Sequence, residues 1–564
     1  MLESLCLHPT SDCLKTDYKA KNIFITLINL SRIICINNSI SLYCNIFKFF
    51  TVKYIQGTDR NQLVLFSQSL DMAIEADNEV RIIDTFVNQL NLNAMGFGNM
   101  NASEEGRPAY HPSDLLKLYI YGYMNRTRSS RELEKETKRN IEVKWLIKGL
   151  MPDHNTISNF RRDNEQAIRK VFRATVEMAK FMKLIGGKII AGDSVKLRAQ
   201  NSKKNNYNKE KVERHLKYID NKLDEYNKQL ALADNDLDKE KIKNSITKQT
   251  NHQVKYYRIE KQLKETGQTQ VSTSDPDSRQ LITRNNITEV GYNIQATTDA
   301  ENKIILDYEV TNVNDTHAMG AMVNNAIDIV GNNTFVAIYD KGYHTGMQIK
   351  KCHEAGIETL VAISALSSTG QAPDPKFNSD KFIYNKVTDT YICPQGETLK
   401  STGRWYLYPS KPYSFKQYRT KECKTCIMLS RCTKSGKRGR IIERTEFTVN
   451  LERNKLFLEQ NPQLYKLRQT IVEHPFGTIK RQWGYDYTLM KRGIKKVSAD
   501  IGLIFCAYNL RRLITLLGKD GWNAILHYHI YLFKLIFRPN LLFFKIIIVN
   551  KRVNPFSIQV KFVA

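Results

Sequence analysis

The amino-acid sequence predicts an α/β domain with two insertions, preceded by an all-α domain. Hydrophobic residues recur at helical spacing within residues 51–185, and β-rich segments alternate with helical ones over residues 186–518. A helical hairpin at 205–285 and a basic, cysteine-containing segment at 365–455 interrupt this alternation. At roughly 150 residues per domain, a chain of 564 residues is long enough for three or four domains.

The net charge predicts a polyanionic partner. The chain has 85 Lys and Arg residues against 57 Asp and Glu residues, a formal net charge of +28 that is spread along its length. Nucleic acid is the usual partner of such a surplus. Hydrophobic residues make up 41% of the chain, which excludes global disorder, and ten scattered cysteines argue against a secreted disulfide framework. We therefore expect a protein of a reducing cytoplasm.

Residues 51–185 predict a helical DNA-binding domain. Cap-type residues at 152–155 precede a short polar helix that ends in Arg161 and Arg162. This pattern is typical of the recognition helix of a helix-turn-helix-like domain, in which case both arginines contact DNA. A surface helix with a solvated basic face is the alternative.

Three acidic residues lie at the ends of two predicted strands and on a later helix of the predicted α/β domain. A strand at 187–193 ends on Asp193, a later β-rich run ends on Asp340, and a helix at 461–484 holds Glu473. When the two insertions are removed, three strands precede alternating helices and strands, which is the order of an RNase H-like fold. The first and fourth strands of that fold lie side by side. Asp193 and Asp340 should then be neighbours, and the closing helix can bring Glu473 to the same point.

Converging carboxylates repel one another unless cations lie between them. Hard oxygen ligands suit Mg²⁺, with Mn²⁺ as a substitute, and two such ions about 3.5–4 Å apart can activate an attacking oxygen and stabilise a leaving one. The three residues therefore form a candidate metal site and catalytic triad. A single Asp or Glu is more often a solvated surface charge, and the agreement of all three positions with the fold order favours catalysis.

The basic insertion combines cations, aromatic residues and cysteines. Between residues 403 and 444, twelve Lys and Arg residues stand against two Glu residues, a net charge of +10, and six aromatic residues are interleaved with them. This composition favours a nucleic-acid surface, and a generic basic loop is the alternative. The spacing of four cysteines suits a structural Zn²⁺ site, and buried or free thiols are the alternative. These cysteines are Cys393, Cys423, Cys426 and Cys432.

Three motifs surround the carboxylates, at residues 191–199, 339–343 and 472–480. Together they resemble the motifs of bacterial insertion-sequence transposases of the DDE class, and the second fits the Asp-x-Gly-Tyr of that family. The resemblance runs from about residue 54 to 518. The family's last region also carries Tyr, Arg, Glu and Lys at set intervals, although the gap between Arg and Glu is one residue longer here. The corresponding residues are Tyr465, Arg468, Glu473 and Lys480.

The resemblance implies a mechanism. A metal-activated water cuts a DNA strand at the end of the element, and the freed 3′-hydroxyl then attacks target DNA at the same site. The three carboxylates would hold Mg²⁺, while Tyr465, Arg468 and Lys480 contact DNA. Glu473 and Lys480 are seven residues apart, about two helical turns, and so share a helix face. A surface lysine is the alternative for Lys480.

The resemblance also implies partners. These are double-stranded DNA, at the terminal inverted repeats of the element and at its target, and further copies of the chain in a homo-oligomer on that DNA. The bacterial cytoplasm, at the nucleoid, is the implied location. The alternative function is that of a catalytically inactive DNA-binding protein, from a domesticated or decayed transposase copy.

Both ends of the chain are apolar and lie outside the resemblance. A signal-like run at 23–36 lacks a small-residue cleavage pattern, and charged residues within 531–549 argue against a membrane span. Residues 1–50 and 519–564 show neither caps nor periodic faces that join the rest. We expect both extensions to come from translation beyond the element's reading frame and to have no function in transposition.

Overall fold

A computed structural model describes eight stretches of the chain: 69–98, 100, 109–282, 287–368, 370–409, 411–435, 438–488 and 492–528. The N-terminal extension predicted at 1–50, and all of the C-terminal extension beyond residue 528, lie outside the described residues.

The N-terminal part is helical, as the sequence predicts. Polar side chains begin several of these helices: Asn78 accepts a hydrogen bond from the backbone N–H of Val80, and Asp153 accepts from two backbone N–H groups of its helix. A 3-10 turn at Leu70–Ala73 comes first. The helices are α1 (Glu79–Gln89), α2 (Leu92–Met95), α3 (Pro112–Met124), α4 (Ser130–Arg139), α5 (Ile141–Leu146), α6 (His154–Asp163) and α7 (Glu165–Phe181).

A mixed sheet follows. Its central strand β1 pairs antiparallel with β5 on one side and parallel with β7 on the other, and β8 pairs parallel with β7. Strands β4 and β6 share the far edge of β5, while β2 and β3 form a separate two-stranded ladder. The strands are β1 (Ile189–Arg198), β2 (Asn206–Tyr207), β3 (Val271–Ser272), β4 (Arg279–Ile282), β5 (Thr288–Asp299), β6 (Ile305–Thr311), β7 (Val336–Tyr339) and β8 (Glu358–Val361).

This topology agrees with the predicted strand order. Leaving out the short strands β2, β3 and β4, the spatial order is third, second, first, fourth and fifth, so that the first and fourth strands are neighbours. The mixed sheet and its helices fit an RNase H-like fold. One detail differs from the sequence prediction, because β1 does not end on Asp193 but continues to Arg198 along β5.

The helical hairpin leaves the sheet between β2 and β3. Helices α8 (Lys209–Leu232) and α9 (Asp236–Thr266) lie along each other. Their buried apolar residues are confined to the base, where Val212 and Leu216 pack against Ile259 and Leu263. The two helices therefore bury an apolar contact only at the base of the hairpin, and its distal part is exposed to solvent.

The basic insertion contains a small antiparallel sheet. The sequence does not indicate these strands, because each has three to five residues, too few to show a clear alternation of apolar and polar side chains. Before it, α10 (Met319–Val330) and α11 (Gly346–Glu354) alternate with the strands of the large sheet. The small sheet consists, in chain order, of β9 (Ile383–Asn385), β10 (Thr390–Ile392), β11 (Thr398–Ser401), β12 (Phe415–Arg419) and β13 (Ile442–Thr445). The short helix α12 (Leu429–Cys432) lies between β12 and β13 in the chain.

Three helical elements complete the described chain: α13 (Thr448–Gln460), α14 (Pro462–Gly477) and α15 (Ile494–Tyr528), which is interrupted by a kink at Gly518. A π-helical segment at Thr478–Gln482 follows α14. Helix α14 packs on one face of the large sheet, where Ile471 and Val472 contact Ala191, Ile338 and Leu360. Helix α15 packs on α7 and β6.

The N-terminal helices and the α/β part share one hydrophobic core. The ring of Phe172 on α7 contacts the rings of Tyr308 on β6 and Phe505 on α15. The boundary predicted at residue 185 therefore does not separate two cores. In the described residues, Ile494–Gly518 is long and apolar enough to cross a membrane, but most of it is buried inside the protein, as expected of a core helix.

Candidate active site

The large sheet brings Asp193 and Asp340 together. In the parallel pairing of β1 with β7, Ala191 lies opposite Ile338. Asp193 is two residues further along β1, and Asp340, two residues after Ile338, directly follows the end of β7. Side chains two residues apart point to the same face of a sheet. Ala191 and Ile338 both contact α14, so the two carboxylates lie at one level of the sheet, on the side that α14 covers.

A close approach of two strands explains the glycine before Asp193. An added Cβ at Gly192 would lie 2.0 Å from the ring of Tyr339, the residue that precedes Asp340. Any side chain at this position would therefore push β7 away from β1 and separate the two aspartates. The Gly-Asp pair of the first motif thus has a packing cause as well as a chemical one.

The charges of the site act on one another. Burial raises the pKa of the Asp193 carboxyl to about 6, and the neighbouring Asp340 carboxylate adds to the rise, while Arg468 works in the opposite direction. The side chain of Asp340 accepts a hydrogen bond from the backbone N–H of Gly342 at 2.8 Å, which begins the turn Lys341–Tyr343. Neighbouring carboxylates repel each other, and a shared cation would offset that repulsion.

Helix α14 supplies a guanidinium at this point. Arg468 Nη1 lies 3.1 Å from Asp193 Oδ2. Burial works against the charge of Arg468, but Asp193, Tyr465 and Asp340 together hold the pKa of the guanidinium above its ordinary value. The structure therefore brings four of the predicted residues together, and Arg468 offsets the charge of Asp193. These four are Asp193, Asp340, Tyr465 and Arg468.

The third carboxylate stands apart from this group. The side chain of Glu473 is exposed and accepts a hydrogen bond from Gln469 Nε2 at 3.0 Å. Among the described residues, no three His, Cys, Asp or Glu side chains stand where they could hold a metal ion together. The structure thus places Glu473 on the helix that packs over Ala191 and Ile338 but does not assemble the predicted triad around a common point.

Lys480 lies in the π-helical segment Thr478–Gln482 rather than in a continuous α-helix. A π-turn has more residues than an α-turn, so Lys480 is rotated away from the position that two regular turns after Glu473 would give it. The predicted common face of these two residues is therefore only approximate.

A further carboxylate borders the site, and the sequence analysis did not single it out. Asp315 lies in the turn between β6 and α10, where its Oδ1 accepts hydrogen bonds from Asn293 Nδ2 and Gln295 Nε2, each at 2.7 Å. An added Cβ at Gly342 would lie 3.0 Å from Asp340 Oδ1 and 3.5 Å from Asp315 Oδ2, so both carboxylates border the same residue.

Gln295 connects Asp315 to the turn that carries Asp340. Because Asp315 accepts from the amide nitrogen of Gln295, the amide oxygen is directed to the hydroxyl of Tyr343, which donates to it. Burial, together with Asp315 and Asp193, holds the pKa of Tyr343 well above its ordinary value and keeps this hydroxyl a donor. The sequence does contain a signal for this arrangement, because Asn293 and Gln295 are polar residues on a strand that is buried over most of its length.

The predicted DNA-contacting arginines of α6 have different environments. Arg161 is 3% exposed, and its Nη1 donates to the Tyr123 hydroxyl and lies 3.6 Å from Asp500 Oδ1 on α15. The prediction that Arg161 contacts DNA is therefore wrong for this structure, since the side chain is needed inside. Arg162 is exposed and shares one face of α6 with the exposed Asn155 and Asn159.

The residues of the basic insertion likewise differ in exposure, since some are buried and others lie on the surface. Phe415 and Tyr418 are fully buried in the small sheet, so they are core residues rather than stacking platforms. Trp405 and Tyr408 are exposed, and Lys437 lies outside the described residues. Between residues 403 and 444, the exposed cations among the described residues are Arg404, Arg419, Lys421, Lys424, Arg431, Lys434 and Arg438.

The four predicted zinc-binding cysteines line one cavity at the edge of the small sheet. Burial raises the pKa of the Cys432 thiol to about 11.

Comparisons with known proteins agree with the motifs. Residues 68–163 match the family described as a transposase domain (DUF772), and residues 392–514 match the family described as a transposase DDE domain. The second match includes Arg468 and Glu473, whereas Asp193 and Asp340 lie outside both. No curated protein matches the chain.

Among solved structures, the chain matches the piggyBac transposase in its synaptic complex with hairpin DNA. The identity is 9%, over 81% of this chain and 82% of that one, with a TM-score of 0.26. A TM-score this low supports no argument about fold or function.

Proposed function

We propose that this chain, which belongs to the insertion-sequence transposases of the DDE class, binds the ends of its element, cleaves them and joins their 3′-hydroxyl ends to target DNA. The observation that carries this proposal is the position of Asp193 and Asp340 at one level of two adjacent parallel strands, under the helix that holds Glu473. The alternative, a DNA-binding protein without catalysis, would leave this pair of repelling carboxylates without a purpose.

The donor set fits a hard divalent cation. Asp193 and Asp340 offer neighbouring carboxylate oxygens, and burial, with a smaller contribution from Asp340, raises the pKa of Asp193, so that a bound cation would favour the ionised pair. We propose that these two residues hold Mg²⁺ and that Glu473 joins them. When bound, such ions supply a nucleophilic water at neutral pH and stabilise the leaving oxygen.

The remaining side chains hold the DNA and the carboxylates. Arg468 offsets the charge of Asp193 while no cation is bound, and we propose that it turns to the DNA backbone when one is. Tyr465, on α14, and Lys480, in the π-helical segment after it, would position phosphates near the scissile bond. Arginine and lysine suit this task because they neutralise phosphate directly.

We also propose a division of labour along the chain. Residues 51–185 recognise the element's ends through the exposed face of α6, residues 186–518 carry the chemistry, and the exposed cations of the basic insertion hold the DNA backbone. A homo-oligomer on DNA would allow both ends of the element to be processed together, in the bacterial cytoplasm.

The test is cleavage of DNA that carries the ends of the element, in Mg²⁺ or Mn²⁺. Asp193→Asn, Asp340→Asn and Glu473→Gln each remove a negative charge but little volume. We expect each to lower the cleavage rate at least about 1,000-fold, as loss of a metal ligand or a comparable electrostatic contribution does, while DNA affinity changes little.

A matched control is Glu459→Gln, which neutralises an exposed glutamate on the neighbouring helix α13 and should leave cleavage unchanged. Cleavage that persists in Glu473→Gln but not in the two aspartate variants would remove Glu473 from the proposal. A wild-type chain that binds end DNA but never cuts it would favour the non-catalytic alternative.

A further inference from the structure

Four cysteines from three separate stretches of the chain meet at one cavity. Cys393 follows β10, Cys423 and Cys426 lie in the loop after β12, and Cys432 ends α12. All four line a cavity of about 30 Å³ at the edge of the small sheet. Cys393 and Cys432 also pack against the five-residue core of that sheet.

The turn after Cys393 directs a backbone donor at the sulfur. The N–H of Gln395 lies 3.4 Å from Cys393 Sγ, and the N–H of Gly396 donates to the Cys393 carbonyl at 2.9 Å. This tight turn requires the positive φ of +87° at Gly396. A backbone N–H directed at a sulfur stabilises a thiolate more than a neutral thiol.

A buried positive charge lies beside the same cysteines. Arg440 lines the cavity and is 6% exposed, and its guanidinium donates to two neutral acceptors, the carbonyls of Gly370 and Gln371. Its Nε is buried without a hydrogen-bond partner, and no carboxylate among the described residues forms a salt bridge with it. A buried guanidinium that lacks an anion is strongly unfavourable.

Gly439 explains how the arginine comes so close. An added Cβ at this residue would lie 2.6 Å from the Cβ and 3.3 Å from the Sγ of Cys423, at a backbone φ of +67°. The chain therefore passes directly over Cys423 just before Arg440. Four neutral thiols would give Arg440 no anionic partner at all.

We propose that Cys393, Cys423, Cys426 and Cys432 bind one structural Zn²⁺ and that Arg440 compensates the charge of the resulting centre. Zn²⁺ takes four thiolates in a tetrahedral structural site, and a close Cys-x2-Cys pair is typical of one. Four thiolates around a divalent ion leave a net negative charge, which is the anion that Arg440 lacks. On binding, each thiol loses its proton to solvent as its sulfur joins the metal.

A metal centre would also stabilise the small sheet, which has few stabilising contacts of its own. Its strands have three to five residues and its core has five buried side chains, too few to stabilise a separate sheet strongly. A bound ion would join β10, the loop after β12 and α12. In the described residues, the four sulfurs do not stand around one point at ligand distance, and metal binding would draw them together.

The first test is the metal content of the full-length wild-type chain, purified under reducing conditions without chelators. We expect about one zinc per chain, and removal by a chelator should allow reconstitution with Co²⁺, whose thiolate charge-transfer absorption reports sulfur ligands. This measurement needs no variant. A reduced wild-type chain with less than about 0.1 zinc that gives no such absorption with Co²⁺ would overturn the proposal, as would a Cys423–Cys426 disulfide in place of metal.

Variants separate this site from adventitious zinc. Cys426→Ser should lower the zinc content at least about fivefold, whereas Cys352→Ala, at a buried cysteine on α11 outside the cavity, should keep it. Arg440→Gln should retain zinc but lose it to a competing chelator at roughly tenfold lower chelator concentration, as expected for the loss of a group that supports metal ligands. Equal zinc in wild type and Cys426→Ser would contradict the assignment.

Discussion

At the scale of single residues, Asp193 carries a charge that its surroundings oppose. Because burial raises its pKa to about 6, the folded chain holds this proton more tightly than the unfolded chain, where the pKa of Asp is about 3.9. Stability therefore falls as pH rises from about 4 to about 6, and at most roughly 3 kcal/mol is lost above that range.

Asp193→Asn removes this effect. We expect the variant to melt a few degrees higher than wild type at pH 7.5 without divalent metal, and at nearly the same temperature at pH 4, where the wild-type carboxyl is already neutral. Added Mg²⁺ should raise the melting temperature of wild type more than that of the variant. A variant that is less stable at both pH values would instead show that the carboxylate has a structural role.

Asp315 offers a second test at this scale. Asp315→Asn keeps the shape of the side chain but replaces the charged acceptor of the Gln295 amide by a neutral one, which weakens the hold on Gln295 and, through the Tyr343 hydroxyl, on the Asp340 turn. We expect the cleavage rate at saturating DNA to fall about tenfold while DNA affinity stays within about twofold. Asp328→Asn, at an exposed position on α10, is the matched control, and a loss of affinity alone would refute a positioning role.

The sequence predicted the pair Asp193 and Asp340 because each follows a β-rich run, and the ends of neighbouring parallel strands meet. It could not show Asp315 as part of the site, because its partners Asn293 and Gln295 lie about twenty residues away on another strand. The motif also could not predict the direction of the Glu473 side chain, since a motif indicates that the residue lies on a helix but does not determine its rotamer.

At the scale of elements, helix α6 shows why a basic helix end is ambiguous. Arg161 and Arg162 are adjacent in sequence but point to opposite environments, since neighbouring positions on a helix are about 100° apart. Asp500 on α15 pairs with both Arg161 and Arg128, and no periodicity within α6 could reveal a partner more than 300 residues away.

The two arginines should therefore give opposite results. Arg161→Ala leaves Asp500 with one of its two buried cations, and we expect it to lower the free energy of unfolding by about 3 kcal/mol or more. Arg162→Ala should leave stability within about 0.5 kcal/mol and weaken binding to end DNA, because its side chain is exposed. Thermal melts and DNA titrations on the same samples separate the effects, and full stability in Arg161→Ala would contradict the buried network.

At the scale of the whole molecule, the shared core links the helices that we propose to recognise DNA to the sheet that we propose to carry the catalytic residues. Helix α15 contacts α3, α6 and α7 as well as β6, so the two parts cannot move independently without exposing apolar surface. The sequence indicated two domains because its period changes near residue 186. A change of period marks a new element type, however, and says nothing about which faces pack together.

The net charge of +28 is also a property of the whole chain, but only part of it can reach DNA. Arg444, for example, forms a bidentate pair with Glu452 and is 7% exposed, whereas Lys421 and Lys424 are exposed at the edge of the small sheet.

Each phosphate that the protein neutralises releases counterions and contributes roughly −0.9 to the slope of log affinity against log salt. We therefore expect DNA binding that weakens steeply with salt, with a slope set by the exposed cations rather than by the net charge. Replacing Lys421 and Lys424 together by Ala should make the slope shallower by at most about 1.8, whereas Arg444→Gln should leave it unchanged. Binding titrations over a range of salt concentrations measure both, and a slope that does not respond to the double variant would remove the small sheet from the DNA-binding surface.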